Sequence, residues 1–169
     1  AGIPDFDLED LIPFKSMGID KAFIDEIRQA GYKNITAENI IALKSQGING
    51  KYISDFHTAT NGNDKDEDNI IAFKSLNIDA AFIDSFKAIG YTNLSNSDLM
   101  ALKSLNITPA YIQEFEKVGY SNLKPDDLFA LKSLNITPKY IAEFEKIGYK
   151  NIKPDDLFAL KSQNVTPDL

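Results

Sequence analysis

The chain has no cysteine, which excludes disulfides and thiolate metal sites and is compatible with any compartment. Histidine is almost as scarce: His57 stands alone, with no second histidine, cysteine or suitably arranged serine to complete a zinc site or a catalytic triad. No apolar run approaches the roughly 18 residues that a membrane-spanning helix needs. No signal-peptide pattern is visible, and a leader removed before Ala1 is compatible with that. Positive charge is also short, with 18 basic against 25 acidic side chains and a formal charge of −7. The imbalance is uneven: residues 1–72 hold 7 basic and 13 acidic side chains, residues 73–169 hold 11 and 12. An acidic chain repels phosphate backbones, so no nucleic-acid partner is expected. No convergent set of titratable groups stands out, and an enzyme is not expected either. What remains is 169 residues, 43% of them apolar, enough for a folded core.

Those residues are organised by repetition. An apolar-Lys-Ser signature occurs at Phe14-Lys15-Ser16, Leu43-Lys44-Ser45, Phe73-Lys74-Ser75, Leu102-Lys103-Ser104, Leu131-Lys132-Ser133 and Leu160-Lys161-Ser162, at intervals of 29, 30, 29, 29 and 29 residues. A fixed period of this size marks a repeat array. The stretches 102–130 and 131–159 are identical at 24 of 29 positions, which points to recent internal duplication. A recurring residue is therefore not functional by virtue of recurring.

Each period carries two helix signatures. The first, helix A, is expected to start at Asp7, Thr36, Asp66, Ser95, Lys124 and Lys153. Four of these are good N-caps, and the two lysines are followed by Pro-Asp-Asp, which pre-sets φ and complements the helix dipole. Helix A ends at Gly18, Gly47, Asn77, Asn106, Asn135 and Asn164, the two residue types that accept a left-handed C′ conformation. The apolar residue after each predicts a Schellman turn onto the apolar-Lys-Ser position. Helix B follows at once, capped by Asp20, Asn49, Asp79, Thr108, Thr137 and Thr166. Its apolar residues in the fourth copy, Tyr111, Ile112, Phe115 and Val118, form one stripe at a 3.6-residue spacing. Gly31, Gly90, Gly119 and Gly148 end helix B, and the tyrosine after each is expected to close the turn.

Helix A is apolar nearly all round and helix B has one wet face, so A is expected inside and B outside. The fold class expected is all-α, an α-solenoid of short helix-turn-helix repeats with a period of 29–30 residues and about five and a half copies. The whole of 1–169 reads as one array, with copies at about 7–35, 36–65, 66–94, 95–123, 124–152 and a partial 153–169. Both ends look cut from a longer array. Pro13 falls inside helix A of the first copy and should kink or shorten it. The second copy loses Gly-Tyr, gains a residue and reads through an irregular segment at 57–68, expected to be a hinge or contact point.

Candidate chemistry is sparse. Asp64, Asp66 and Asp68 are spaced like the first carboxylates of a calcium loop, but the sixth position is Asn69 rather than glycine and the twelfth is Ser75 rather than a bidentate glutamate. Asp66 as an N-cap explains the same residues. His57 aligns with Glu116 and Glu145 on the wet face of helix B and is expected to be a surface residue. Lys-Ser invites comparison with a Ser-Lys nucleophile, yet adjacent helical residues face different ways. The turn at 105–109 resembles helix-hairpin-helix DNA-binding modules, with Asn and Thr where those carry glycine. The Asn-Ile-Thr and Asn-Val-Thr triplets at 106–108, 135–137 and 164–166 have the glycosylation pattern, although capping already accounts for both residues and the proline that follows disfavours modification.

The unit ALKSLNITPxYIxEFEKxGYxNLxPDDL, at 101–128 and 130–157, resembles a short helical repeat found in tandem in bacterial proteins, including the non-catalytic region of membrane metallopeptidases similar to β-lactam-sensing transducers. The zinc-binding His-Glu-x-x-His of that family is absent. The resemblance implies a sensory or interaction region, outside the cytoplasm (periplasmic or secreted). A similarity to sterile-alpha-motif helices, through GYxNL, also implies association. The expected function is a non-enzymatic scaffold for protein-protein interaction or sensing, with no cofactor apart from the calcium candidate. Its contact surface would be the outer positions of helix B: Asp25, Arg28, His57, Asp84, Lys87, Gln113, Glu116 and Glu145. The alternative is a homo-oligomer stacked head to tail through Phe6, Leu8 and Leu11 at one end and Leu157, Leu160 and Val165 at the other.

Overall fold

A computed structural model of the chain describes residues 5–62 and 66–168. Among these it contains eleven α-helices and no strand: α1 (Leu11–Met17), α2 (Lys21–Gln29), α3 (Ala37–Ser45), α4 (Gly50–Ala59), α5 (Glu67–Ser75), α6 (Ala80–Lys87), α7 (Asn96–Ser104), α8 (Pro109–Glu116), α9 (Pro125–Ser133), α10 (Pro138–Lys146) and α11 (Pro154–Ser162). Odd-numbered helices are the A type and even-numbered ones the B type. The fold is therefore an all-α repeat of short helices. At 7 to 10 residues each, the helices are too short to persist alone, and stacking on like helices supplies their burial.

The helix boundaries follow from capping chemistry. Asp20 accepts from the Phe23 amide at 2.8 Å, Asn49 from Tyr52 at 2.9 Å and Thr108 from Tyr111 at 3.2 Å. Ser95 and Asp98 form a reciprocal capping box before α7. Lys124 supplies no cap, but its amide donates to the Asp127 carboxylate at 3.2 Å. Every A-type end is a Schellman turn: the amides of Ile19, Ile48, Ile78, Ile107, Ile136 and Val165 donate to the carbonyls of Phe14, Leu43, Phe73, Leu102, Leu131 and Leu160 at 2.8–2.9 Å. Asn77, Asn106, Asn135 and Asn164 hold φ between 52 and 55°.

Three expectations are corrected. The first A-type helix begins after Asp10, not Asp7. Pro13 is the reason: it becomes the third helical residue, whose missing N–H had no intrahelical acceptor to lose, and the helix shortens to 7 residues. The A-type helices are not an enclosed inner layer. In α9 only Leu128 and Leu131 are buried while Phe129 and Ala130 are half-exposed, and the B-type α8 likewise buries Ile112 and Phe115. Each kind of helix buries one stripe. Finally, of the six end residues, Leu157 is fully buried rather than open, Leu8 is 84% exposed and the rest lie between.

The chain divides into two compact units, Ala1–Asp84 and Ser85–Leu169, with the division inside α6. In the first, α1 packs on α3, α3 on α5 and α2 on α4. In the second, α7 packs on α9 and α9 on α11. Like helices thus stack one period apart. The core of the first unit includes Phe14, Ile24, Ile27, Ile40, Leu43, Ile53, Phe56 and Phe73; that of the second includes Leu102, Ile112, Phe115, Leu128, Leu131 and Ile141. Phe56 and Phe73 meet at 4.9 Å between ring centroids, joining one copy to the next.

Where the second copy departs from the pattern, Asn61 replaces glycine at the left-handed position, with φ 56°. The Gly62 amide then donates to the His57 carbonyl at 2.7 Å, so the same turn ends α4 without the Gly-Tyr pair.

Candidate functional site

The recurring lysine has two uses, and only one is visible in the sequence. It sits in the last turn of each A-type helix, where the dipole favours it. Its ammonium also lies over an aromatic ring of the preceding B-type helix: Lys44 over Phe23 at 4.5 Å, Lys74 over Tyr52 at 4.5 Å, Lys132 over Tyr111 at 4.6 Å and Lys161 over Tyr140 at 4.7 Å. Such cation–π contacts are worth about 0.5–1 kcal/mol each at exposed sites. The serine that follows turns the other way. Ser45 and Ser162 donate to carbonyls of their own helix, Ala42 and Ala159, at 2.9 Å. The lysine and serine therefore have separate partners.

Tyrosines bind one copy to the next. Tyr91 donates to the Leu123 carbonyl at 2.7 Å and Tyr120 to the Ile152 carbonyl at 2.5 Å, each 32 residues ahead. From helix B, Tyr52 donates to the Ile78 carbonyl at 2.9 Å and Tyr140 to that of Val165 at 2.7 Å. The tyrosine after helix B thus does more than close its own turn. Its signal in the sequence was the fixed distance to the next Leu or Ile before the Lys-Pro pair. Burial, and then the charge of Asp79, pushes the Tyr52 phenol up to about 12; burial, and then Glu114, does the same to Tyr111.

The expected contact residues fall into two groups. In the first unit, Asp25 pairs with Lys21 along α2, and Asp84 is exposed. Arg28 reaches Asp5 at 3.5 Å and lies 5.5 Å from the Phe6 ring centroid. His57 is not a free surface residue: it is half-buried, its ring meets Tyr32 edge-on at 5.5 Å, and its Nε2 is enclosed. A Cβ on Gly31 would come within 3.1 Å of that ring, so the glycine makes room for it as well as holding a φ of 132°. In the second unit, Gln113 and Glu116 are exposed while Lys87 and Glu145 are half-exposed. Burial first, and then Glu116, raises the Tyr91 phenol; burial first, and then Glu145, raises that of Tyr120. The positions of Arg28, His57, Glu116 and Glu145 therefore lean toward the turn that precedes them, whereas Asp84 and Gln113 are exposed.

Of the calcium candidates, Asp64 lies outside the described residues. Asp66 is the N-cap of α5 and accepts from the Asp68 amide at 3.0 Å, and Glu67 and Asp68 fill the first turn. Among the described residues no group of three or more His, Cys, Asp or Glu side chains is placed to hold a metal ion, and no helix is long and apolar enough to cross a membrane.

The concavities formed by the described residues include two of several hundred Å³. One, of about 430 Å³ in the first unit, is lined by Tyr52, Asp55, Lys74, Asn77 and Asp79. The other, of about 590 Å³ at the end of the second unit, is mainly apolar and lined by Phe144, Ile147, Tyr149, Ile152, Leu160 and Val165. Compared with known protein families and with curated proteins, the chain matches none.

Proposed function

We propose that the chain is a non-enzymatic helical-repeat scaffold for protein-protein interaction, in keeping with its resemblance to tandem repeats in bacterial sensory proteins outside the cytoplasm. One observation carries this reading. The residues that recur have a use within the fold, as caps, left-handed C′ residues, cation–π lysines and tyrosines that reach the next copy. The outer B-helix position held by Asp25, Ser54, Asp84, Gln113 and Ala142, exposed at Ser54, Asp84 and Gln113, varies from copy to copy, as partner-facing positions of a repeat array do.

Affinity capture from extract of the source cells, with calcium and again with chelator, tests it. A stoichiometric foreign protein retained in both conditions is the expected result. Recovery of the bait alone overturns the reading, and retention that needs calcium revives the acidic stretch at 64–68.

A second reading is self-association of the chain through its ends, favoured by Leu8 and Ile12, which are 84% and 75% exposed. Light scattering over a concentration series decides it: a mass that grows with concentration supports stacking, and a constant monomer mass rejects it.

A further inference from the structure

Only two asparagines precede glycine, Asn49 and Asn61. An Asn-Gly pair can cyclise on itself, because glycine puts no side chain in the path of its own nitrogen toward the asparagine Cγ. The two pairs stand at opposite ends of α4, and the fold treats them differently. At the start of α4 the Asn49 side chain accepts from the Tyr52 amide at 2.9 Å, Gly50 is buried, and the Gly50 nitrogen donates to Glu26 Oε1 of the preceding copy at 2.7 Å. A Cβ on Gly50 would come within 2.6 Å of the Glu26 Cγ, so the glutamate side chain lies directly against the residue it covers. At the far end Asn61 and Gly62 are both exposed. Their bonds belong to the last turn of the same helix: the Asn61 amide donates to the Thr58 carbonyl at 3.2 Å and the Gly62 amide to that of His57 at 2.7 Å. A terminal turn opens at little cost, whereas freeing the Gly50 nitrogen requires α4 to part from Glu26 of α2.

We propose that Asn61 is a site of spontaneous deamidation and that Glu26 shields Asn49 from the same reaction. With the last turn of α4 open, the Gly62 nitrogen attacks Asn61 Cγ. The N–Cγ bond forms, the Cγ–Nδ2 bond breaks, and Nδ2 leaves as ammonia with the proton that the Gly62 nitrogen gives up. Water then opens the cyclic imide at one of its two carbonyls, giving aspartate or, with the chain rerouted through Cγ, isoaspartate; nothing is oxidised or reduced. Either product puts a carboxylate at the C-terminal end of α4, where the helix dipole disfavours negative charge. The iso form also adds a methylene to the main chain and so breaks the register of the Gly62-to-His57 bond. The site lies where the second copy departs from the repeat: Gly31, Gly90, Gly119 and Gly148 are each followed by tyrosine, whereas here Asn61 takes the left-handed position and glycine follows. The inference is independent of the scaffold reading.

The test is incubation of the whole folded chain at mildly alkaline pH, with sampling over weeks and peptide mapping by mass spectrometry. An isoaspartyl methyltransferase scores the iso form, and the chain unfolded in guanidinium calibrates both pairs. In the folded chain Asn61 is expected to convert about tenfold or more faster than Asn49, and in the unfolded chain at a similar rate. Glu26→Ala is expected to speed conversion at Asn49 about tenfold and to leave Asn61 unchanged. Equal rates in the folded chain, an intact Asn61 after the unfolded chain has converted, or an Asn49 rate that Glu26→Ala does not alter would overturn the proposal. If Glu26→Ala proves unfolded by circular dichroism, hydrogen exchange in the native chain decides the shielding: the Gly62 amide should exchange about tenfold or more faster than that of Gly50, and equal or reversed rates reject it.

Discussion

At Asn135 the backbone enters the left-handed region, φ 52°, and two amides turn back onto α9: Asn135 donates to Lys132 and Ile136 to Leu131. A β-branched side chain resists that conformation. Asn135→Val is therefore expected to cost about 1–3 kcal/mol in thermal unfolding, and Asn135→Gly far less. This position was legible in the sequence because only Gly and Asn occupy it across six copies. The tyrosines were half legible. Their period was plain, but the acceptor of each hydroxyl is a main-chain carbonyl, so for Tyr91 and Tyr120 the sequence carries only the fixed 32-residue spacing to the Leu or Ile before the Lys-Pro pair. The raised phenols of Tyr52 and Tyr111 make a prediction of their own. Both states hold the neutral phenol below about pH 10, and above it the unfolded chain ionises while the folded chain stays neutral until about 12. The stability that these two groups contribute is thus full below pH 10 and lost between about 10 and 12. Phenolate absorbance should place the two titrations near 12 in the folded chain, and denaturant midpoints should fall across the same window.

Helices show why the pattern of caps could be read more closely than the layering. Caps and C′ residues act within a few positions of themselves, so the sequence contains all of their partners; only α1, displaced by Pro13, starts elsewhere than expected. A substitution pair separates the position of a proline from its presence. Pro13→Ala is expected to change stability by less than about 1 kcal/mol, because the proline occupies an orphan-donor position. Ala130→Pro, at the matching place in α9 but deep in the helix, should cost about 3 kcal/mol or more, measured by urea unfolding. The expectation of an inner A layer failed for a different reason. An apolar residue such as Phe129 contributes to composition whether or not a neighbour covers it, and half-exposure of large apolar side chains is ordinary in folded proteins. His57 was misplaced in the same way: alignment with Glu116 assigned it to water, whereas Gly31 and Tyr32 of the preceding copy enclose its ring.

Across the chain, the period of 29–30 residues carried the fold class, and each unit stacks like helices one period apart as that period implies. What the period could not carry was the energetic coupling between copies, because the Lys-aromatic and Tyr-carbonyl contacts join residues that no local pattern relates. This stacking, and not the local sequence, supplies the burial. The identical helices α9 and α11 allow it to be tested with one substitution made twice. Leu131→Ala is expected to cost about 2–5 kcal/mol through the cavity it opens, and Leu160→Ala less than half as much, in thermal or urea unfolding of the whole chain. Equal losses at the two positions would contradict the claim, since the same leucine in the same nine residues would then be worth the same whether buried, as Leu131 is, or half-exposed, as Leu160 is.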